Sequence, residues 1–294
     1  MDNRFINVEW LPELERPILI AGFTGWNDAA EAASASISVL DSSWEASRFG
    51  SFDSEEFFDF QTTRPEIKLV EGVTRRIEWP ENTLSATARS LEATNGRGVV
   101  LLSGPEPNFR WRSFCGAVVD LARELNVELV VTLGALLADV PHSRPVSVSA
   151  NSQDPALIEN LGLSASRYEG PTGITGILHR ACADANLPSV SFWAPVPHYL
   201  PAVPSAPATL GLLKSLSALL DIKIDTEQLE KTSADYQEQV SAAVSQDSDL
   251  TSYVQMLEER YDAQAAQGTR DLPSGDELAH ELENFLREQR REEE

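Results

Sequence analysis

Two segments of the chain carry side chains that can move protons. Glu106 lies between two prolines and is followed by Arg110, and His198 lies in a second proline-rich segment, just before Tyr199. A carboxylate or an imidazole can act as a general acid or base, and a guanidinium can neutralise an anion. Glu106 and His198 are therefore the candidate catalytic residues, and Arg110 and Tyr199 are candidate ligand-binding residues. The alternatives are a structural Glu106–Arg110 ion pair and packing of His198 and Tyr199 beneath the prolines.

A third segment holds Asp139, His142 and Arg144 within six residues. One histidine and one aspartate supply too few ligands for a metal site, so we expect no metal. A Ser–His–Asp hydrolase of the usual kind needs a nucleophile elbow, and the chain contains no GxSxG sequence. His142 is therefore predicted to be a hydrogen-bonding residue of a loop, and no cofactor is indicated.

Residues 16–40 predict a strand, a turn and a helix in succession. Residues 18–21 are apolar, residues 22–25 contain two glycines, and an alanine-rich helix is predicted to begin near Asn27 or Asp28. Three-layer α/β proteins bind ligands at such turns, where glycines permit close backbone approach and free helix N–H groups can bind an anion. The predicted ligand-binding residues of this turn are Gly22, Thr24, Gly25, Trp26 and Asn27.

Some polar residues in this turn also have structural interpretations. Asp28, followed three residues later by Glu31, resembles a capping box and is predicted to cap the helix. Asn27 is then freer to face a ligand, and Trp26 is either a wall of the pocket or a plug in the core.

A second glycine-bearing turn, residues 168–174, precedes another predicted helix. Its Thr172 and Gly173 are the remaining ligand-binding candidates, through a hydroxyl and backbone N–H groups that can contact an anion. The chain has no GxxxxGK[ST] sequence, so this turn is not a P-loop.

Alternating apolar runs predict an α/β core domain over residues 1–220. The predicted strands are 44–49, 57–60, 99–102, 127–133, 146–148 and 190–193, and the later helices begin near Trp111, Gly173 and Ala208. A β-hairpin insertion at about 64–80 turns at Gly72, and such insertions often serve subunit contacts. The prolines between 195 and 207 predict an extended connector.

The last quarter of the chain is acidic and helical in pattern. Residues 221–294 contain 20 Asp and Glu against 7 Lys and Arg, a net charge of −13 out of −23 for the chain. Apolar spacing predicts helices around 229–240 and 250–261, and a third helix capped by Asp276 after a linker. This segment is either a solubilising appendage packed over the core or an acidic surface for a partner.

Charge and composition limit the classes of function and location. The net charge of −23 disfavours binding to nucleic acid or to anionic membranes. No apolar run is long enough to span a membrane, and the first residues do not resemble a secretory signal. Cys115 and Cys182 have no CxxC neighbour and are predicted to be reduced thiols, so we expect a cytoplasmic protein.

Several motifs together resemble one family. They are GFTGWNDA at 22–29, the segment 104–111, LGALLADVPHSRP at 133–145, GPTGITG at 170–176, WAPVPHY at 193–199 and the ending SGDELAHELENFL. The chain resembles the proteasome assembly chaperone type 2 family over essentially its whole length, and its actinobacterial branch in particular.

The resemblance implies a three-layer αβα sandwich of phosphorylase/hydrolase-like type, association into a trimer, and a helical C-terminal segment that forms a lid over the pocket. It supplies no catalytic residues. The first functional hypothesis is a non-enzymatic, assembly-factor-like or ligand-binding homo-oligomer, with a protein partner. The alternative is an enzyme that phosphorolyses or hydrolyses a small anionic or nucleoside-like ligand.

Overall fold

A mixed sheet of nine strands forms the centre of the computed structural model, which describes residues 4–70, 74–89, 92–166, 168–201 and 203–266. Its strands are β1 (Ile6–Val8), β2 (Ile18–Thr24), β3 (Ser47–Phe52), β6 (Thr83–Ala86), β7 (Val99–Pro105), β8 (Leu129–Ala138), β9 (Ser149–Ser152), β10 (Ser164–Ala165) and β11 (Ser189–Pro197). Their order across the sheet is β1-β3-β6-β7-β2-β8-β11-β9-β10. The four central strands, β7, β2, β8 and β11, are parallel, so their carboxyl ends meet at one edge.

Helices cover both faces of this sheet. The helices are α1 (Ala32–Ser43), α2 (Ser54–Phe57), α3 (Trp111–Glu124), α4 (Pro155–Asn160), α5 (Ile174–Asp184), α6 (Ala206–Leu220), α7 (Glu227–Val244) and α8 (Ser248–Ala266). Apolar residues of α3 and α5 pack on one face and those of α1 and α6 on the other. The predicted three-layer αβα sandwich of phosphorylase/hydrolase-like type is confirmed.

The face beneath α3 and α5 contains both cysteines and an aromatic cluster. The rings of Phe52, Phe57 and Phe114 pack with centroids 4.3–5.9 Å apart. Cys115 and Cys182 are free, buried thiols on α3 and α5. Both helices therefore bury unmodified thiols between themselves and the sheet.

The predicted hairpin insertion forms a separate sheet. It consists of β4 (Glu66–Val70) and β5 (Thr74–Glu78), paired antiparallel with Ile67 opposite Ile77. The predicted turn residue Gly72 lies outside the described residues.

Two predicted strands are wrong. Residues 57–60 were expected to be extended, but Phe57 ends the short helix α2, and its buried ring belongs to the aromatic cluster rather than to a strand. Residues 146–148 precede the strand instead of forming it, since β9 begins at Ser149. In both cases apolar residues are buried by tertiary packing without pairing in a sheet.

The boundaries of other elements also differ from the prediction. Residues 22–24 belong to β2 rather than to a turn, and α1 begins at Ala32 after a 3-10 turn at Ala29–Glu31. Pro195 and Pro197 lie in β11 rather than in a connector. β11 pairs with β9 only as far as Trp193, and both prolines lie beyond that residue. On that side of the strand no backbone N–H is needed for pairing, so proline is tolerated there.

The helices α7 and α8 dock on the loop between β8 and β9. Arg144 of this loop forms ion pairs with Glu258 and Asp262 of α8, at 3.3 and 2.8 Å. The hydroxyl of Tyr261 donates to the carbonyl oxygen of Pro145 at 3.0 Å. The third predicted C-terminal helix lies outside the described residues. Within the described ranges, no helix has the length and apolar composition needed to cross a bilayer.

Candidate functional site

A cleft of about 670 Å³ opens at the carboxyl ends of the parallel strands. One side comes from the segment after β2, residues 25–30, and from the end of β8, residues 135–138. The other side comes from β9, β11, α5 and the segment before α5, which contribute Ser149, Asn151, Ser191, Trp193, His179 and Thr172 among others. The cleft therefore lies where α/β sheets place their ligands.

Aromatic rings form much of the cleft wall. Trp26 and Tyr168 are 61% and 45% exposed, so both rings present free surface. The Trp193 indole lies on the backbone of Gly134, where an added Cβ would be 2.8 Å from ring carbons Cε3 and Cζ3. Trp26 is thus a pocket wall, one of the two alternatives predicted for it.

Asn27 connects three elements at the cleft. Its side-chain Oδ1 accepts the N–H of Thr175 at 3.3 Å, and its carbonyl oxygen accepts the N–H of Ala135 at 2.8 Å. The residue is only 3% exposed although it lines the cleft. It therefore holds the segment after β2 against both β8 and the start of α5.

Asp28 caps helix α1, as predicted, but not through a capping box. Its carboxylate accepts the N–H groups of Ala33 at 2.7 Å and Ser34 at 3.1 Å, and the Ser34 hydroxyl at 2.6 Å. Because the turn at Ala29–Glu31 intervenes, the side chain reaches the helix from four residues before its first residue. Burial raises the pKa of the Asp28 carboxyl, and these hydrogen bonds oppose that rise.

Glu106 occupies the beginning of helix α5. Its Oε1 accepts the N–H of Ile174 at 2.7 Å, and its own N–H donates to the Thr24 carbonyl oxygen at 2.8 Å. Gly173 lies against both Glu106 and Asn27, where any Cβ would collide with their side-chain oxygens. The first two N–H groups of α5 are thus satisfied by protein side chains.

The alternative of a structural Glu106–Arg110 pair is wrong. Arg110 instead forms an ion pair with Glu56 of α2. Glu106 instead accepts the backbone N–H of Ile174. This partner is a main-chain group far away in the sequence, so neighbouring charged residues do not predict it.

His198 and Tyr199 face the C-terminal helices. His198 Nδ1 lies 2.9 Å from Oδ1 of Asp139, and the Tyr253 hydroxyl of α8 donates to the same oxygen at 3.2 Å. The His198 contact is the main cause of a lowered pKa for Asp139, although partial burial opposes it. The Tyr199 hydroxyl accepts the backbone N–H of His142 at 2.9 Å.

His142 is a hydrogen-bonding residue of a loop, as predicted. Its Nδ1 lies 2.8 Å from the Tyr199 hydroxyl and its Nε2 3.1 Å from the Ser241 hydroxyl of α7. The Tyr199 oxygen accepts a backbone N–H and its hydroxyl can donate to Nδ1, in which case Nε2 donates to the Ser241 hydroxyl. Burial lowers the pKa of His142 and outweighs the attraction of Glu258, which favours the neutral imidazole.

The structure brings only some of the predicted residues to the cleft. Among the predicted ligand-binding residues, those that line it are Gly25, Trp26, Asn27 and Thr172. Those that do not are Gly22, which packs against Ile37 of α1, and Thr24, Gly173, Arg110 and Tyr199. The catalytic candidates Glu106 and His198 also lie outside the lining.

Several lining residues had no place in the sequence-based prediction. They are His179, Ser149, Asn151, Ser191 and Trp193. A signal was present, because serine alternates with apolar residues in SVSANS at 147–152 and in SVSFW at 189–193. In the described part of the chain, no three His, Cys, Asp or Glu side chains are grouped so as to hold a metal ion.

The family model named PAC2 family matches residues 22–244. The chain belongs to the PAC2 family. No functionally curated protein is detectably similar to this PAC2 chain.

Solved PAC2 structures are similar over most of the chain. A PAC2 family protein from Streptomyces avermitilis is 44% identical, covering 81% of this chain and 99% of that one, with a TM-score of 0.75. A proteasome-assembly chaperone homologue from Mycobacterium tuberculosis is 40% identical with the same coverage and a TM-score of 0.74. An archaeal proteasome activator from Pyrococcus furiosus, 16% identical over 81% of this chain and 97% of its own, shares the fold with a TM-score of 0.65.

Proposed function

We propose that this PAC2 protein is a self-associating factor that binds a protein partner during the assembly of a larger complex. Family membership supports the proposal, as does the 40% identical relative described as a proteasome-assembly chaperone homologue. We further propose a trimer, as the family resemblance implies, and a cytoplasmic location, as the two free cysteines suggest. The actinobacterial branch indicated by the motifs remains a prediction.

The observation that carries this proposal is the exposed apolar face of the hairpin, defined by Ile67, Leu69 and Ile77. These side chains are 63%, 64% and 53% exposed, and the antiparallel register places them on one face, together with Arg75 opposite Leu69. Lys68 and Arg76 oppose each other on the other face. A two-stranded sheet is marginally stable alone in water, so an exposed apolar face of this kind favours burial against another protein surface.

We propose that a second copy of the chain covers this face. The test replaces Ile67 and Leu69 together by serine and measures the sedimentation-velocity mass at micromolar concentration. Wild type is expected to sediment as a trimer and the double variant as a monomer. The matched control replaces Lys68 and Arg76 by serine on the opposite face and should keep the wild-type mass. A monomeric wild type, or a trimeric apolar-face variant, would contradict self-association through the hairpin.

The proposed protein partner is a proteasome subunit, because relatives are named as a proteasome-assembly chaperone homologue and a proteasome activator. The test adds the purified protein to separately purified actinobacterial proteasome α and β subunits and follows ring formation by native mass spectrometry. We expect a complex that contains this chain and faster ring formation. Unchanged kinetics with no complex would contradict the proposal.

The alternative enzyme hypothesis has less support in the geometry. Glu106 is engaged by the start of α5, and His198 faces Asp139 and the C-terminal helices. Neither lines the cleft. A small anionic ligand and a lid formed by the C-terminal segment remain predictions, and within the described ranges the residues that line the cleft include none from α7 or α8.

A further inference from the structure

The sheet face beneath α5 changes from apolar to polar where it reaches the cleft. One row of paired residues runs across five strands: Leu102, Ala21, Thr132, Ser191 and Asn151. Directly paired residues share a face, so this row begins apolar on β7 and β2 and becomes polar on β8, β11 and β9. The next row pairs Gly134 with Trp193 and Trp193 with Ser149. The polar end of the face contributes to the cleft floor.

Two hydroxyls of this polar region are buried without a partner. Ser149 is 3% exposed and Thr132 is fully buried, and neither side-chain oxygen has a hydrogen-bond partner within the described residues. An unsatisfied buried hydroxyl destabilises the folded chain, so native structures rarely keep one without a reason. Ser149 lines the cleft, where a bound molecule can supply the missing partner.

The cleft is built for an uncharged molecule. Among the described residues that line it there is no lysine or arginine, and the only carboxylate and imidazole groups are those of Asp28 and His179. The Asp28 carboxylate is engaged by α1, and burial lowers the pKa of His179, which favours a neutral imidazole. The first two N–H groups of α5 are bonded to Glu106 and Asn27, so neither is free to hold an anion. Among the described residues of the lining, no cationic side chain compensates a negative charge.

The cleft walls suit a flat molecule. The exposed rings of Trp26 and Tyr168 and the indole of Trp193 offer surfaces on which another ring can stack. The cleft volume, about 670 Å³, is within the range of small-molecule sites. Aromatic walls above a floor of hydroxyl and amide groups match a ring with hydrogen-bonding groups at its edge.

We propose that this cleft binds an uncharged, planar heteroaromatic molecule of the nucleobase or nucleoside class. The ring stacks on the tryptophan walls, and its edge bonds the hydroxyl of Ser149 and the amide of Asn151. This site is separate from the hairpin apolar face, so the two proposals stand or fall independently.

The test uses isothermal titration calorimetry with adenosine, guanosine, cytidine and uridine, each paired with its 5′-monophosphate. At least one nucleoside is expected to bind, and to bind more tightly than its monophosphate, because the phosphate meets no cation. Ser149→Ala should weaken the binding of that nucleoside by about tenfold or more, because one well-formed hydrogen bond in a buried site is lost. The thermal stability of the Ser149→Ala protein should be unchanged or slightly raised, because the substitution removes an unpartnered hydroxyl.

Control variants separate the site from general effects. Ser38→Ala changes an exposed serine of α1 and should leave affinity unchanged. Trp26→Ala removes an exposed ring and should weaken binding without unfolding the chain. Binding of no nucleoside at millimolar concentration, equal or tighter binding of the monophosphates, or unchanged affinity in Ser149→Ala would each overturn the proposal.

Discussion

Asp28 and Glu106 illustrate how single carboxylates organise the neighbourhood of the cleft. Asp28 accepts two backbone N–H groups at the start of α1, and Glu106 accepts one at the start of α5. A negative side chain at a helix N-terminus satisfies free donors and interacts favourably with the helix dipole. Glu106, which suggests acid–base chemistry in the sequence, therefore fixes the start of a helix, as Asp28 does.

Replacing Asp28 by alanine should destabilise the fold by about 1–2 kcal/mol, because the N–H groups of Ala33 and Ser34 lose their acceptor. Asp28→Asn keeps an acceptor and should cost less. Urea denaturation of the two variants measures the difference, and equal losses would show that the charge, not the acceptor, matters.

The same carboxylate gives a pH dependence with a defined sign. Burial raises the pKa of Asp28 in the folded chain above its unfolded value, so the folded chain binds more protons between the two pKa values. Stability contributed by this group is therefore present at lower pH and is lost as the pH rises through that window. Relative to Asp28→Asn, wild type should lose stability as the pH rises above about 4.

Gly134→Ala should disturb the cleft through a single methyl group. The added Cβ would lie 2.8 Å from the Trp193 ring, so the indole must move, at a cost of about 1–3 kcal/mol. Chemical denaturation measures the cost, and Gly116→Ala is the control because a Cβ there meets nothing. If Gly134→Ala is as stable as wild type, the Trp193 ring does not pack on the backbone of residue 134.

The candidate site was only half predictable from individual residues. Gly25, Trp26, Asn27 and Thr172 stand out because glycine-bearing turns follow strands or precede helices in the sequence. Ser149 lies in the largely polar strand β9 and Ser191 in the mainly apolar strand β11, and only the pairing of β9 with β11 shows that they share a face. Long-range pairing is information that local sequence does not carry.

At the scale of elements, continuous apolar runs predicted the central strands well. β2, β7, β8 and β11 are buried on both faces over most of their length, so their sequences are mainly apolar, with Thr132 of β8 and Ser191 of β11 among the polar exceptions. The phenylalanines at 57–58 gave the same local signal but are buried through side-chain packing next to α2. Periodicity over four residues does not separate these cases.

The docking of helix α7 should weaken in acid. Burial lowers the pKa of His142 in the folded chain, so the unfolded chain binds more protons as the pH falls through the ordinary histidine range, about 6.5. Stability is therefore lost as the pH falls through that range. His179 contributes with the same sign because burial also lowers its pKa.

Hydrogen exchange at about pH 7.5 and 5.5 separates the two histidines. In wild type, amides of α7 should lose protection at the lower pH, since His142 contacts Ser241 of that helix. His142→Gln should remove this pH dependence, whereas His179→Gln should retain it. A pH-dependent loss in α7 that persists in His142→Gln would rule out this mechanism.

For the whole molecule, repulsion arising from the net charge of −23 should affect stability more than any single ion pair does. Like charges spread over one chain repel and destabilise its compact state. Raising the salt concentration from about 10 to about 100 mM shortens the screening length from about 30 to about 10 Å.

Added salt should therefore raise the melting temperature by a few degrees at neutral pH, measured by circular dichroism at constant protein concentration. Near pH 5 the chain approaches its isoelectric point of about 4.5, and the salt effect should shrink. A melting temperature that falls with salt at neutral pH would show that local ion pairs, such as those of Arg144, dominate instead.

The rate at which the two buried thiols are alkylated can report how often one helical layer of the molecule opens. Burial raises the pKa of Cys115 and of Cys182 to about 12, so neither reacts readily with an alkylating reagent while α3 and α5 stay in place. Alkylation must wait for that helical layer to lift from the sheet. The layer of α1 and α6 contains no cysteine. The alkylation rate of the wild-type protein therefore reports opening of the layer of α3 and α5 and does not report opening of the layer of α1 and α6.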